Sequence, residues 1–367
     1  MDKYVLYGTG KEAEYFYYNY QNKKSIRFCI DDSGKEFFRG MTVYNLDVAV
    51  QLLDGEKIIV AKDWSEYNNV KNSLIARGYI EFKDFLWWKG VDKKMVLFNC
   101  NCHAVAYKEY LNNSDDFCKK YYIYEIPSIH KHDHIEENLL RNCDVFIHQV
   151  MRVGNSISDM LSDEYCYKRL KKDVQIIIVP NFVGIGIAFF TSGKKTYYIN
   201  GDDAIFIEDL YIEEAYNEGR CSVKDIREYV LSRKREGIIE IWEKTFEKLV
   251  EREKVWSVKI SDYIRDNYKK IKMFYDPYHP SYELIQEVCY RLGKYMVLSD
   301  YQDITIERKL NWVEMFMYPD VCEGLGLEYG FEGFIRENAD YRLSDKPMDI
   351  DEYIREYIYV TRGIIID

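Results

Sequence analysis

Short apolar runs alternate with amphipathic segments along the first part of the chain. Residues 4–7, 26–30 and 57–61 are apolar runs of strand length, and segments with helical periodicity follow the first and third of them. This alternation is typical of parallel strands joined by crossover helices. The pattern therefore predicts a small parallel sheet within residues 1–92.

A second series of strands and helices begins after the polar segment at residues 89–94. The run at residues 175–179 is apolar and β-branched, as expected for a strand buried on both faces. A charged segment over residues 203–269 is predicted to be mostly helical, and the tail is polar and rich in tyrosine. The predicted strands of this series are residues 95–98, 121–126, 145–147, 175–179 and 271–275.

These patterns predict an α/β fold with two parallel-sheet domains. The first domain is placed at residues 1–92 and the larger second domain, with helical insertions and a helical tail, at residues 93–367. A chain of 367 residues suits two domains at about 100–200 residues each. The two series are similar in rhythm but not in sequence.

The composition limits the classes of protein to which the chain can belong. A hydrophobic content of 47% with 31% charged residues predicts a globular protein, and a net charge of −11 argues against a nucleic-acid partner. No apolar run reaches the roughly 18 residues of a transmembrane helix, and the first residues lack a signal-peptide layout. We therefore expect a cytoplasmic location, and we interpret the nine scattered cysteines as free thiols.

Polar, thiol and imidazole side chains follow the predicted strands of the second series. Ligands of open α/β sheets bind outside the carboxyl ends of the strands, so we expect these side chains to converge on one sheet edge. They are Asn101, Cys102 and His103 after the first strand, Gln149, Arg152, Gly154 and Asn155 after the third, Asn181 after the fourth, and Asp276 and His279 after the fifth.

This set of side chains allows acyl transfer. Cys102 lies at a strand-to-helix turn, where the helix dipole favours a thiolate, with His279 as its base and Asp276 orienting the imidazole. The amides of Cys102 and Gly154 and the side chain of Asn181 are candidates for an oxyanion hole. The alternative is that Cys102 is an inert buried thiol and Asp276 only a turn residue.

The run from Val96 to Ala104 resembles the opening of the WcbI-type polysaccharide-biosynthesis acetyltransferases, which typically have Gly-Asn-Cys-Gln after their first strand. Segments 143–149, 179–181 and 278–281 match the pattern of that family in the same order, so the resemblance covers roughly residues 95–300. Two residues depart from it, because Cys100 stands where the family usually has glycine and His103 where it has glutamine.

The WcbI-type family is similar in turn to the SGNH-hydrolase fold, a three-layer α/β fold. There a serine after the first strand, a glycine, an asparagine and an Asp-x-x-His recur in this chain order, and here Cys102 would replace the serine.

The resemblance implies that acetyl-coenzyme A is the co-substrate and that the acetyl group passes to a sugar hydroxyl during capsule or surface-glycan synthesis. A small-molecule acyl donor and a sugar or polysaccharide acceptor are then the expected partners. Whether the chain forms a homo-oligomer is left open. An esterase or thioesterase of the same fold and a non-catalytic glycan- or nucleotide-sugar-binding protein remain alternatives. The candidate cations for the phosphates of coenzyme A, each also compatible with a solvated face, are Lys168, Arg169, Lys171, Lys172, Lys194 and Lys195.

A glycine-rich segment follows the first strand of the chain. Gly8, Gly10 and Ala13 fit Gly-x-Gly-x-x-Ala, in which backbone amides approach a phosphate at a helix N-terminus, and Asp31 ends the next strand where a ribose-binding acid belongs. On residues 6–10, 30–32 and 38–43 the segment resembles the Rossmann-like domain of many sugar-modifying proteins. That resemblance implies a bound nucleotide or nucleotide-linked sugar, or a purely structural or docking role.

Three alternate histidines invite a metal interpretation. Alternate histidines on a strand share a face, but Asp133 followed by Glu136 also fits a helix N-cap with its capping-box partner. No other residues have a spacing that completes a zinc set, so no metal site is predicted. Two of these histidines can still line an acceptor-sugar pocket; the three are His130, His132 and His134.

Overall fold

The computed structural model describes residues 3–22, 24–154, 158–199, 203–307, 313–329, 335–338, 341–342 and 348–367. Every helix in these ranges is too short or too polar to serve as a transmembrane span.

Six strands near the N-terminus form one sheet in the order β3-β4-β2-β1-β5-β6. All neighbours in it pair in parallel except β3, which is antiparallel to β4. The strands are β1 Lys3–Tyr7, β2 Ser25–Ile30, β3 Phe37–Phe38, β4 Met41–Tyr44, β5 Lys57–Val60 and β6 Phe85–Trp87.

Three helices join these strands: α1 Lys11–Tyr20, α2 Leu46–Leu52 and α3 Trp64–Ala76. Side chains fix where two of them begin, because Asn45 caps α2 and Asp63 caps α3 by accepting hydrogen bonds from first-turn amides. The predicted alternation of strand and helix is confirmed in this part of the chain.

A second sheet has four strands in the order β10-β9-β7-β8, of which β7 and β8 pair in parallel. The strands are β7 Lys94–Asn99, β8 Tyr121–Ile123, β9 Val145–His148 and β10 Gln175–Ile178. The helices between them are α4 Ala104–Asn112, α5 Asp115–Lys120, α6 Glu137–Asn142 and α7 Asp163–Tyr167.

The fifth strand predicted for this sheet, at residues 271–275, is wrong. Phe274 makes only an isolated bridge to Pro280. The backbone closes on itself there, since the Tyr275 amide donates to the His279 carbonyl and the Ser281 amide to the Met273 carbonyl. An apolar run of this length can form one side of a tight loop as well as a strand.

The prediction of a mostly helical segment at residues 203–269 is confirmed only from residue 210 onward. Before residue 210, β11 Ser192–Ile199 and β12 Asp203–Asp209 form an antiparallel pair. Later in the chain, β13 Val313–Glu314, β14 Ile335–Asn338 and β15 Tyr341–Arg342 form a small antiparallel sheet. The helices are α8 Leu210–Asn217, α9 Val223–Ser232, α10 Ile238–Glu253, α11 Ser261–Asn267, α12 Tyr282–Tyr295, α13 Pro319–Leu325 and α14 Ile350–Arg362.

The chain folds into two compact units. The first consists of Met1–Asn99, Asp115–Ile147 and Met151–Ile176, and the second of Cys100–Ser114, His148–Val150 and Ile177–Asp367. An α/β fold with two parallel sheets is therefore confirmed. The domain boundary at residues 92 and 93 and the Rossmann-like and SGNH-like details stay predictions.

One hydrophobic core runs through the first unit and takes side chains from both sheets. Val5 and Ile58 of the first sheet are buried in the same cluster as Met95, Leu97 and Phe146 of the second. Burial of apolar surface is the main driving force of folding, so this cluster stabilises both sheets together.

Candidate active site

A sharp turn between β7 and α4 presents Cys102. The Asn101 amide donates to Oε1 of Gln149 over 3.0 Å, and Oδ1 of Asn101 accepts from the His103 amide over 3.0 Å. Asn101 and His103 are buried, whereas Cys102 is partly exposed. Of these three residues, Cys102 is therefore the most exposed.

A second turn, in the loop before α12, holds Asp276 and His279. Oδ1 of Asp276 accepts from the amides of Tyr278 (2.7 Å) and His279 (3.0 Å), and Oδ2 lies 2.6 Å from Nδ1 of His279. The Asp276 side chain is 1% exposed. Two backbone donors thus fix the carboxylate, and the carboxylate fixes the imidazole with its Nε2 directed away.

The side chain of Cys102 also interacts with His279. Burial alone would lower the pKa of His279, but the charge of Asp276, its hydrogen bond and the interaction with Cys102 raise that pKa to about 10. The imidazole is therefore protonated at neutral pH. The structure brings together the three residues that the sequence placed in one chain of thiol, imidazole and carboxylate, and all of them belong to the second unit.

Gln149 connects this turn to the segment after β10. Its amide nitrogen donates to the Pro180 carbonyl (2.7 Å) and lies 3.2 Å from Nδ1 of His103. The ring centroid of His103 is 5.9 Å from that of Phe182 and 6.3 Å from that of His279. The sequence places both Gln149 and Phe182 after predicted strands at this edge, but it assigns Phe182 no role in the site.

Asn181 lies next to Pro180 in the same unit. Its Oδ1 accepts from the Val183 amide over 3.1 Å, so the side-chain oxygen belongs to its own turn. Its part in an oxyanion hole stays a prediction.

Two other residues predicted to follow β9 do not belong to the same unit as Cys102. Arg152 is exposed and, with Gly154, belongs to the first unit. The Gly154 amide donates to Oδ1 of Asp159 over 2.9 Å. This amide, predicted as a donor of the oxyanion hole, is therefore already used in a hydrogen bond. Asn155 lies outside the described residues.

Several of the candidate phosphate-binding cations are paired with carboxylates. An ion pair lowers the availability of a cation for an added anion, so these residues favour the solvated-face interpretation. The pairs are Lys168 with Glu164 (2.7 Å), Arg169 with Glu137 (3.8 Å), Lys171 with Asp144 (2.5 Å) and Lys195 with Glu208 (3.4 Å).

The glycine-rich segment of the first unit follows β1 as predicted. Gly8 has a φ of +121°, and a Cβ there would lie 2.5 Å from the Ala61 carbonyl oxygen, so only glycine fits. Gly10 is the N-cap of α1, and a Cβ at that position would have only the Glu12 side chain nearby, at 3.6 Å.

Asp31 is buried beside this glycine-rich segment. It accepts from Oγ1 of Thr9 (3.0 Å) and from the Ser33 amide (2.8 Å), with Nζ of Lys62 4.0 Å away. Burial alone would raise the pKa of Asp31, but these hydrogen bonds and the Lys62 charge lower it. Asp31 also lines a cleft of about 510 Å³ that includes Lys35.

The three histidines before α6 make contacts other than metal coordination. No group of three metal-ligating side chains is found in the described part of the chain. The predicted capping box is wrong, because Glu136 itself is the N-cap of α6 and makes no side-chain cap bond. Instead His134 pairs with Asp133 over 2.6 Å, and Nδ1 of His132 lies 2.9 Å from the Ser128 carbonyl.

Comparison with known proteins gives two findings. The sequence profile of the family described as polysaccharide biosynthesis enzyme WcbI matches residues 95–300. Among solved structures, one similar chain is that of native WcbI without a disulfide bond between coenzyme A and a cysteine. It is 17% identical, with a TM-score of 0.58 over 74% of this chain and 90% of that chain, which shows a shared fold. No curated protein matches the sequence.

Proposed function

Because the chain belongs to the WcbI family of polysaccharide biosynthesis enzymes, we propose that it transfers an acetyl group from acetyl-coenzyme A to a hydroxyl of a sugar acceptor. The observation that carries this proposal is that Cys102 interacts with His279, whose imidazole is hydrogen-bonded to Asp276. Thiol, imidazole and carboxylate in this order are the groups that acyl transfer needs.

Coenzyme A is proposed as the acyl carrier on the strength of the similar structure. That protein is described as being without a disulfide bond between coenzyme A and a cysteine, so the description names coenzyme A together with a cysteine. In this chain we assign the corresponding role to Cys102, whose thiol is partly exposed within the matched residues. The acceptor is a saccharide because the family acts in polysaccharide biosynthesis, and we expect the reaction in the cytoplasm.

The proposed reaction has two halves. First, the Cys102 thiolate attacks the thioester carbonyl carbon, the bond from that carbon to the sulfur of coenzyme A breaks, and protonated His279 gives its proton to the departing thiolate. Second, neutral His279 takes the proton of the sugar hydroxyl while its oxygen attacks the acetyl-Cys102 thioester. Cys102 then leaves as a thiolate, and Asp276 stabilises the imidazolium that forms again.

The protonation of His279 favours this covalent route over direct attack by the sugar. With a pKa of about 10, the resting imidazole has both nitrogens protonated at neutral pH and cannot take a hydroxyl proton. The covalent route begins with His279 as an acid and needs it as a base only after coenzyme A has left.

The test is incubation with acetyl-coenzyme A, following release of its free thiol with and without sugar acceptors. Thiol release that depends on an acceptor supports a transferase, and sustained release without one indicates an esterase or thioesterase. Mass spectrometry of the protein without acceptor is expected to show one acetyl group on Cys102. Cys102→Ser should abolish turnover while the control Cys322→Ser, at another partly exposed thiol, retains it. If the protein neither binds coenzyme A nor shows turnover, the alternative of a non-catalytic binding protein is the one that remains.

For the first unit we propose a nucleotide or nucleotide-linked sugar in the cleft at Asp31. Asp31 and Lys35, which both line the cleft, support this, because a ribose hydroxyl suits a carboxylate and a diphosphate needs a cation. Lys35→Ala is expected to weaken binding of a nucleoside diphosphate at least tenfold by calorimetry while leaving the melting temperature unchanged, because Lys35 is exposed. Equal binding by both proteins, or none by either, would contradict the proposal.

A further inference from the structure

Two backbone groups fix the orientation of the Gln149 side-chain amide. The Asn101 amide is a donor, so the Gln149 atom 3.0 Å from it is the oxygen. The Pro180 carbonyl is an acceptor, so the Gln149 atom 2.7 Å from it is the nitrogen. A flipped amide would place two donors together at one end and two acceptors together at the other.

The fixed amide determines which nitrogen of His103 carries a proton. The Gln149 nitrogen has a second hydrogen, and Nδ1 of His103 lies 3.2 Å from that nitrogen. Nδ1 must therefore accept, and a neutral imidazole that accepts at Nδ1 carries its hydrogen on Nε2. His103 is thus held as the Nε2–H tautomer by a residue that is itself completely buried.

The surroundings of His103 also disfavour its charged form. An imidazolium would direct an Nδ1–H at the amide hydrogens of Gln149. The ring is 1% exposed, packs against Phe182, and lies 6.3 Å from the ring of His279, which carries a positive charge. Burial and a like charge both oppose a second imidazolium.

We propose that His103 is a catalytic residue that donates its Nε2–H to the acyl oxygen as negative charge develops there, and that Gln149 is the positioning residue that keeps this donor in place. This rests on the proposed acyl transfer. His103 directly follows Cys102, and its ring lies beside the imidazole that contacts the thiol. A neutral, buried donor needs no reorganisation when the oxyanion forms.

The tautomer can be measured without any activity. In protein with ¹⁵N-labelled histidine, two-bond proton–nitrogen correlations are expected to show His103 as a neutral ring with protonated Nε2, assigned by loss of its signals in His103→Gln. Gln149→Glu, which offers an acceptor to Nδ1, should move the proton to Nδ1. An Nδ1–H ring or an imidazolium in the wild-type protein would overturn the inference.

Kinetics test the role as donor. His103→Gln keeps an N–H donor and should retain kcat within about tenfold, whereas His103→Phe keeps the aromatic contact without a donor and should lose about 10²- to 10³-fold in kcat with little change in KM. The alkylation rate of Cys102 should stay the same in both, which excludes a damaged thiol. If the wild-type protein is active and His103→Phe is equally active, this inference is overturned while the proposed function stands. An inactive wild-type protein would overturn the proposed function, while the tautomer measurement still stands.

Discussion

His279 stays protonated at neutral pH because the carboxylate of Asp276 and the Cys102 side chain outweigh the burial of its ring. One acidic side chain thereby decides whether the imidazole begins the proposed reaction as a proton donor. The same carboxylate is held by the amides of Tyr278 and His279. At the scale of single residues, the chemistry is thus prepared by a short loop rather than by the sheet.

Asp276→Asn tests this arrangement. The neutral amide removes the charge that raises the pKa of His279 and presents a donor where Nδ1 needs an acceptor, so the pKa should fall by more than one unit. We expect kcat to fall about 10²- to 10⁴-fold, as when the acid of a triad loses its charge. Titration of His279 by NMR measures the first effect, and a pKa that stays near 10 would contradict the assignment.

The raised pKa of His279 also predicts a pH dependence of stability. A histidine titrates near 6.5 when unfolded and near 10 here, so its stabilising contribution is complete below about pH 6.5 and is lost as the pH rises through 10. The free energy of unfolding in urea should therefore decline over this window more steeply for the wild-type protein than for His279→Gln. Equal slopes would show that the pair contributes nothing to stability.

The elements of the second unit depend on side chains that their own sequence does not reveal. Asp209 is the second of two adjacent acidic residues, a pattern typical of a solvated surface, yet it is fully buried. It caps α8 and accepts from the hydroxyls of Tyr318 (2.8 Å) and, on α14, Tyr353 (3.1 Å). A short polar pattern cannot predict burial that segments more than a hundred residues away create.

Asp209→Ala should destabilise the protein by about 3 kcal/mol, because it removes a helix cap and leaves two buried hydroxyls without their acceptor. The matched control is Ser222→Ala, which removes the more exposed cap of α9 and should cost about 1 kcal/mol. Urea unfolding measures both. Equal losses would show that the tyrosine contacts add nothing.

Asp209→Asn isolates the charge at the same position. Burial raises the pKa of Asp209 to about 6 despite its hydrogen bonds. A folded pKa above the ordinary 3.8 means that ionisation weakens the fold, so stability should be greatest below about pH 4 and decline up to about pH 6. The asparagine variant should lack this decline in urea unfolding, and an unchanged decline would assign it to other groups.

At the scale of the whole molecule, the sequence indicated the strand–helix alternation and the order of site residues, because periodicity and position after a strand are local properties. It did not indicate the exchange of segments between the two units, nor Gln149 as the residue that joins the turn at Asn101 to Pro180. Such contacts depend on tertiary packing, which overrides local pattern.

A fragment of residues 1–92 tests the predicted domain boundary. Lys71, buried in an ion pair with Glu81 (2.9 Å), also contacts Oη of Tyr124 (2.9 Å) and Glu136 (3.2 Å), and the core extends to Phe146. The fragment would expose that core and leave the buried pair without its partners. We expect no cooperative thermal transition by circular dichroism, and a sharp transition would support an independent first domain.

The chain passes several times between the two units, and this affects the order in which the residues of the site are synthesised. Cys102 leaves the ribosome long before His279 and Asp276, and the segment 100–114 that carries it lies between two segments of the first unit. A nascent chain therefore holds the thiol without its imidazole and carboxylate until residue 279 has been synthesised.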